Sequence, residues 1–383
     1  MMPWPKVSLG EVLRRVEREE KVDASKEYRL LGVRLEGKGP FLRETVLGTQ
    51  TSAGKLFRVA TSDFIYSRLF ACRGAFGVIE ADLNGCYVSG EFPTFVPMPG
   101  KVNIEFLKYW FRLPSVIATV DADCSGSTPL TRNRFKENFF LALEIPLPPL
   151  AEQRRMVARI EELAAQIHEA RTLRHQATEE ADALLRSILA HDKDAKPTPM
   201  RELVKMRAPD VTVHANETYH FAGIYCFGRG VFKAMRKSGM DFAYPRLTRL
   251  RAGEFVYPKL MAWEGALGIV PPECNGCVVS TEFPVFEVDQ ERVFSEVLDV
   301  YFRTPSVWPE IAGESTGTNV RRRRLNPQDF LDYEMPLPSR ETQVTLRKVS
   351  AKVDALKQLQ AETAAELDAL LPAILDRAFK GEL

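Results

Sequence analysis

The feature that most constrains this chain is the stretch at 145–190, IPLPPLAEQRRMVARIEELAAQIHEARTLRHQATEEADALLRSILA. After Pro146, Pro148 and Pro149 it contains neither Gly nor Pro. Met156, Ile160, Leu163, Ile167, Ala170, Ala177, Ala181, Leu184 and Ile188 follow one another at alternating spacings of four and three, with Arg174 the one interruption. A period of about 3.5 is a heptad seam, so the spacing predicts one long helix whose apolar stripe requires a partner helix. The prolines set its start. Pro149 suits a first helical turn, and a residue before a proline is held extended.

The partner lies in the same chain. Residues 335–383 repeat the Pro-rich start (MPLP against IPLP) and the seam, as Leu346, Val349, Val353, Leu356, Thr363, Leu367, Leu370 and Ile374, with Gln360 as a strongly polar member. Pro372 is expected to kink this second helix or end it early. Arg174 and Gln360 occupy the same heptad phase, and a single polar seam residue is a common way to set register. The spacing leaves open whether the two meet. It also leaves open that the helices are separate and solvated.

The repeat extends beyond the helices. A shift of 191 residues lays 64–79 over 255–270. It also matches Asn84, Gly85, Cys86, Glu91, Phe92 and Pro93 to Asn275, Gly276, Cys277, Glu282, Phe283 and Pro284. So long a period is duplication of a whole domain and not a solenoid. The expected architecture is a mixed α+β (α/β) chain with two duplicated globular domains at 1–145 and 193–335. Two long helices at 146–192 and 336–383 separate them and form an antiparallel coiled coil. A chain of 383 residues exceeds what one core usually serves, which agrees.

Within each domain, 9–16 is predicted as a short amphipathic helix, and 28–35 and 56–59 as extended. Strands are predicted at 64–70 and 255–261, and helices at 104–112 and 294–303, ending before Pro114 and Pro305. Gly74, Gly77, Gly265 and Gly268 mark backbone at positive φ or in close approach. Asn84-Gly85 and Asn275-Gly276 predict tight turns between strands of a largely antiparallel or mixed sheet. The polar, Pro-bearing 193–199 is the expected linker.

Hydrophobic residues make up 45% and charged residues 27%, with net charge +1, so a nucleic-acid surface must be a local patch. No apolar run approaches the roughly 18 residues of a membrane span, and the N-terminus lacks a signal-peptide core, so no membrane and a cytoplasmic location are expected. The six cysteines are expected to be reduced. Cys274 and Cys277 have CxxC spacing but lack two further ligands, and Leu83 stands opposite Cys274, so no metal is expected.

The halves diverge most at 37–55 against 228–246 and at 124–134 against 314–324. Gly, Ser, Thr, Arg and Lys dominate these segments, which predicts loops. They carry the local basic charge: between Arg229 and Lys259 stand eight cations against Asp241 and Glu254, and Arg321, Arg322, Arg323 and Arg324 are consecutive. Such chemistry suits DNA, where Lys and polar groups hold phosphates and Arg forks read base edges. A solvated basic face, or a face for an acidic protein, is the plainer alternative. Phosphate contacts are expected from Arg43, Lys55, Arg58, Lys233 and Lys237, and base or groove contacts from Arg132, Arg134, Arg236 and Arg321 to Arg324. No GxxxxGK(S/T) loop, dinucleotide fingerprint, metal-spaced histidines or amino-methyltransferase motif occurs, so no catalytic and no cofactor-binding residues are expected in this chain.

The segment IPLPPLAEQRRMVARIEEL at 145–163, the YSRLF at 66–70, the tail LDRAFKGEL at 375–383 and the two-unit repeat resemble the DNA-specificity (S) subunit of type I restriction–modification systems. The similarity covers essentially the whole chain. The second copy departs from it, with SRETQ at 339–343 replacing PLAEQ at 149–153 and keeping only Gln343 of that pattern's Glu-Gln. The resemblance implies two target-recognition domains, each meeting one half of a bipartite double-stranded DNA site. It implies two methyltransferase subunits as partners, which modify adenine with S-adenosylmethionine, and restriction subunits that use ATP with Mg as further partners. A helix of forty residues would span roughly 60 Å and act as a ruler between the domains. Alternatives from other classes are a coiled-coil scaffold that binds no DNA and a nuclease with a degenerate site. A nearer one is the specificity subunit of a methylation-only defence system.

Overall fold

The computed structural model describes residues 4–122, 124, 134–313 and 324–383. The chain forms two compact units, Met1–Thr172 with Thr363–Leu383, and Leu173–Glu362. They are built alike.

In the first unit a five-stranded sheet has the spatial order Glu19–Lys21, Lys55–Arg58, Tyr87–Val88, Glu27–Arg34 and Gly39–Leu47. A four-stranded sheet runs Leu13–Val16, Thr94–Pro97, Phe64–Tyr66 and Phe76–Val78, and Lys6–Ser8 pairs with Glu144–Pro146. The second unit repeats all three sheets in the same order. All pairings are antiparallel except Leu30 with Tyr87 and its counterpart, Phe221 with Val278.

Aromatic side chains make the core. Phe140 lies 4.7–5.8 Å from the rings of Phe64, Tyr66, Phe95 and Phe111, and Phe330 lies 5.0–5.7 Å from Phe255, Tyr257, Phe286 and Phe302. Full burial stabilises each such ring by about 1.5–3 kcal/mol relative to exposure. Gly74 and Gly265 both take φ +76° after a 3-10 turn, where a Cβ would strain the backbone.

Leu150–Ala190 is one continuous helix and contributes to both units. Its partners are Arg340–Glu362 in the second unit and Ala364–Lys380 in the first. The pairing is antiparallel in each. In the first unit Arg171 meets Asp368 at 2.7 Å. In the second, Asp182 meets Lys357 at 2.7 Å, and the Asp192 carboxylate accepts from Ser339 N–H at 2.8 Å. The expected seam is buried at Met156, Ile160 and Ile167, and Ala181 and Ile188 stay half-buried against the second core, but the face shifts between them: Leu185 is buried and Leu184 is 52% exposed. A helix of 3.6 residues per turn drifts about 20° per heptad against a 3.5 repeat, so after four heptads the next residue faces the partner. On the other helix Leu346 and Val353 are buried and Leu356 and Leu370 are exposed.

Gln360 and Arg174 do meet, through main chain. The Gln360 amide donates to the Arg174 carbonyl at 3.4 Å, and its side-chain carbonyl accepts from the Thr178 hydroxyl at 3.0 Å. The second helix is interrupted at Thr363, whereas Pro372 lies inside Ala364–Lys380.

Both helix starts are fastened by the glutamine that the repeat retains. Gln153 is fully buried. Its Oε1 accepts Asn103 N–H at 2.8 Å and its Nε2 donates to the Pro148 carbonyl at 2.8 Å. Gln343 likewise accepts Phe294 N–H at 3.2 Å and donates to the carbonyls of Pro338 at 3.0 Å and Arg292 at 3.2 Å. Asn103 and Phe294 are themselves the capping residues of Ile104–Trp110 and Ser295–Phe302, so each long helix is tied to a domain helix.

Several local expectations are corrected. Residues 9–16 form a three-residue 3-10 turn, Leu9–Glu11, and the strand Leu13–Val16, because pairing with Thr94–Pro97 outweighs a short helix that contains Gly10. The strands expected at 64–70 and 255–261 stop at Tyr66 and Val256. Asn84-Gly85 closes the 3-10 turn Ala81–Leu83 and does not join two strands directly. The linker is partly ordered, since Lys196–Pro199 pairs with Glu334–Leu337.

Candidate nucleic-acid interface

The segments 37–55 and 228–246 are not loops. Each carries a nine-residue strand, Gly39–Leu47 or Gly230–Ser238, at the edge of its five-stranded sheet. An edge strand has one side in water and tolerates the polar composition that signals a loop. Arg43, Lys55, Arg58, Lys233, Arg236 and Lys237 therefore stand on strands.

Both edge strands are bulged. Leu30 opposes Glu44 and Leu31 opposes Leu42, which leaves Arg43 without a cross-strand counterpart. In the second unit His220 opposes Arg236 and Ala222 opposes Lys233, which sets Ala234 and Met235 against Phe221. A bulge adds twist and re-aims side chains. Here it brings Lys233 and Arg236, three apart, to the side shared by His220 and Ala222, two apart. Lys237 opposes Tyr219 on the other side, its ammonium 5.9 Å from the Phe221 ring. Near each hairpin turn an aromatic ring covers a glycine: Phe41 over Gly32 and Phe232 over Gly223, where a Cβ would approach the ring to 2.8 and 2.5 Å. Arg34 stacks on Phe41 at 4.4 Å, and Tyr225 on Phe232 at 3.9 Å with Arg229 over Tyr225 at 4.7 Å.

Beside the first hairpin lies a groove of about 290 Å³. Arg43 with its partner Glu44, and Gln50, Thr51, Ser52 and Ser89, supply its polar lining, above Leu56 and Tyr87. The repeat places Phe242 at the position of Thr51. Phe242 packs on Tyr219 at 6.0 Å and Phe221 at 5.1 Å, over the equivalent satellite core of Tyr219, Leu247 and Val278. One frame thus presents hydroxyl and amide groups in the first unit and aromatic rings in the second. Hydroxyls, amides and guanidinium forks are the groups that discriminate base edges, and apolar surface suits a thymine methyl.

The cations also differ in their partners. Arg43 pairs with Glu44 at 2.9 Å and Lys55 with Glu19 at 2.7 Å, a bond that raises the Lys55 pKa above the usual lysine value. Among the described residues Arg58, Lys233, Arg236 and Lys237 make no ion pair. Arg134 pairs with Glu91 at 2.9 Å, and Arg324 pairs with Glu282 at the equivalent place, so this pair is common to both units. Arg132, Arg321, Arg322 and Arg323 lie outside the described residues. The charge-based expectation missed Gln50, Thr51, Ser52 and Phe242. The signal that could have found them is the Thr51/Phe242 difference inside the divergent segment.

Cys274 and Cys277 are buried in the apolar cluster of Leu250, Val256 and Val279, and burial pushes the Cys274 thiol up to about 11. Among the described residues, no group of His, Cys, Asp and Glu is arranged to hold a metal ion, and no helix is long and apolar enough to cross a membrane.

No protein-family model matches the chain, and no curated protein matches it. Solved structures do. The HsdS subunit from Thermoanaerobacter tengcongensis aligns over 100% of this chain and 98% of its own, at 22% identity and a TM-score of 0.54. A chain from a structural account of complex assembly and conformational transition in the type I R-M system aligns over 100% of both chains, at 22% identity and a TM-score of 0.66. The chain has the fold of the specificity (S) subunits of type I restriction–modification systems.

Proposed function

We propose that the chain is the DNA-specificity subunit of a type I restriction–modification complex, with each unit contacting one half of a bipartite, asymmetric duplex site. The observation that carries this reading is the duplication with selective divergence. Sheet order, glutamine anchor and aromatic core are repeated, while the edge hairpin and the groove beside it change chemistry. A frame used twice with different contact groups is suited to two different half-sites. The antiparallel helices act as the spacer between half-sites and as docking faces for two methyltransferase subunits, since duplicated surfaces suit two identical partners. The chain itself is non-catalytic in this reading. S-adenosylmethionine, and ATP with Mg, belong to the partner subunits, which include restriction subunits where the system cuts DNA. Mapping adenine methylation in cells that carry the chain with its partners tests this. A bipartite motif that disappears when the chain is deleted is the expected result; an unchanged methylation pattern overturns it.

A further inference from the structure

We infer that the two units divide the ionic part of DNA binding unequally, with Lys233, Arg236 and Lys237 of the second hairpin supplying most of the salt-dependent affinity of the two hairpins. This rests on the proposed DNA-binding role. Salt dependence arises because a cation that neutralises a phosphate releases counterions condensed on the duplex, with a slope of about 0.9 per contact in a plot of log affinity against log salt.

The condition is that the cation brings net charge. Arg43 and Lys55 do not, because each is already bonded to a carboxylate, at 2.9 Å to Glu44 and 2.7 Å to Glu19. If such a pair stays closed it approaches the phosphate as a neutral dipole. If it opens, the freed carboxylate remains in the same field. Either way the local charge delivered is zero and the condensed ions stay on the DNA.

Lys233 and Arg236 are exposed, Lys237 is half-buried, and none is ion-paired among the described residues. The bulge sets two of them on one side of an edge strand. Arg134–Glu91 and Arg324–Glu282 are the same pair in both units and cancel in the comparison. Of the first unit's remaining candidates among the described residues, Arg58 makes no ion pair. Over the hairpins themselves, residues 27–47 carry Arg29, Arg34, Lys38 and Arg43 against Glu27, Glu36 and Glu44, a net +1, whereas residues 218–238 carry Arg229, Lys233, Arg236 and Lys237 with no carboxylate, a net +4 with His220 neutral. The first unit contributes through its polar groove, whose hydrogen bonds depend little on salt.

The experiment uses the full chain with its co-purifying partner subunits and a mixed-sequence duplex of about forty base pairs, because the ionic term is independent of sequence. Affinity is measured by fluorescence anisotropy at a series of KCl concentrations, after circular dichroism melts confirm that each variant is folded. Lys233→Gln, Arg236→Gln and Lys237→Gln together are expected to lower the slope by about 2.7. Removing both members of the first-unit pairs (Arg43→Gln with Glu44→Gln, Lys55→Gln with Glu19→Gln) is expected to leave it unchanged. Removing only the carboxylates, Glu19→Gln with Glu44→Gln, is expected to steepen it by about 1.8. An unchanged slope in the second-unit triple variant overturns the inference, as does an equal flattening when the first-unit pairs are removed. Failure of the unaltered complex to bind any duplex at low salt is a different result and overturns the DNA-binding role itself.

Discussion

Gln153→Ala is expected to release the start of the long helix from the first unit. The Gln153 side chain is fully buried and makes two bonds at 2.8 Å, accepting Asn103 N–H and donating to the Pro148 carbonyl. Truncation removes both partners at once. Each buried main-chain group left without a hydrogen bond costs about 1–3 kcal/mol, so the loss for the two is about 2–6 kcal/mol, with the lower end applying if water enters the space. At about 1.4 kcal/mol per tenfold change, the open state becomes about 30 to roughly 20,000 times more populated. Hydrogen–deuterium exchange read by mass spectrometry suits the question, because two compact units make a single global unfolding energy ill-defined. Peptides covering 103–110 and 150–160 should lose protection by that factor, while those covering 295–302 should not. Gln166→Ala, on the exposed side of the same helix, is the control. A change of less than about threefold around Asn103, or an equal change with Gln166→Ala, refutes the anchoring role of the buried amide.

Two further substitutions probe the second unit's helix packing and the first unit's groove. Asp354 is exposed on its helix, yet crowding by its neighbours raises its carboxyl pKa, chiefly through desolvation; Lys357 and Arg303 lower it, and Asp299 and Glu296 raise it. Asp182 competes for Lys357 at 2.7 Å. A carboxyl raised in the folded state binds its proton more tightly there than when unfolded. The penalty is therefore absent below the unfolded pKa, grows as pH rises from the unfolded to the folded value, and is full above the folded one. Because Asp354 is exposed, solvent screens most of the penalty, so Asp354→Asn should raise the Tm of the second unit by about a degree at neutral pH, and scanning calorimetry at about pH 3 should find the gain gone; a gain that grows in acid contradicts the sign. Thr51→Phe should place a ring in the first-unit groove, at the position that Phe242 holds in the second unit. Methylation mapping is then expected to find one half of the motif relaxed or changed and the other intact, and an unchanged motif removes the groove from specificity.

The parts legible in the chain were periodic or local. The heptad seam, its start after Pro149, the 191-residue duplication and the turn glycines each rest on spacing or on backbone requirements within a few residues. The edge strands were not legible. Arg43, Lys233 and Arg236 sit among Gly, Ser, Thr and charged residues, and only pairing with Glu27–Arg34 or Thr218–Tyr225 makes them strand. The seam slip from Leu184 to Leu185 is a drift that accumulates over four heptads, which no single window contains.

By itself the sequence determined that this is one unit used twice, joined by helices that require one another, because duplication and a 3.5-residue period are properties of order along the chain. Which cations remain available, and what packs at the place of Thr51 in each unit, were decided by tertiary structure alone. Lys55 is neutralised by Glu19 from thirty-six residues away, and at the place of Thr51 in the other unit Phe242 packs on Tyr219 and Phe221 across the sheet. Charge pairing and packing act through space at a few ångströms, and composition along the chain carries no record of that distance.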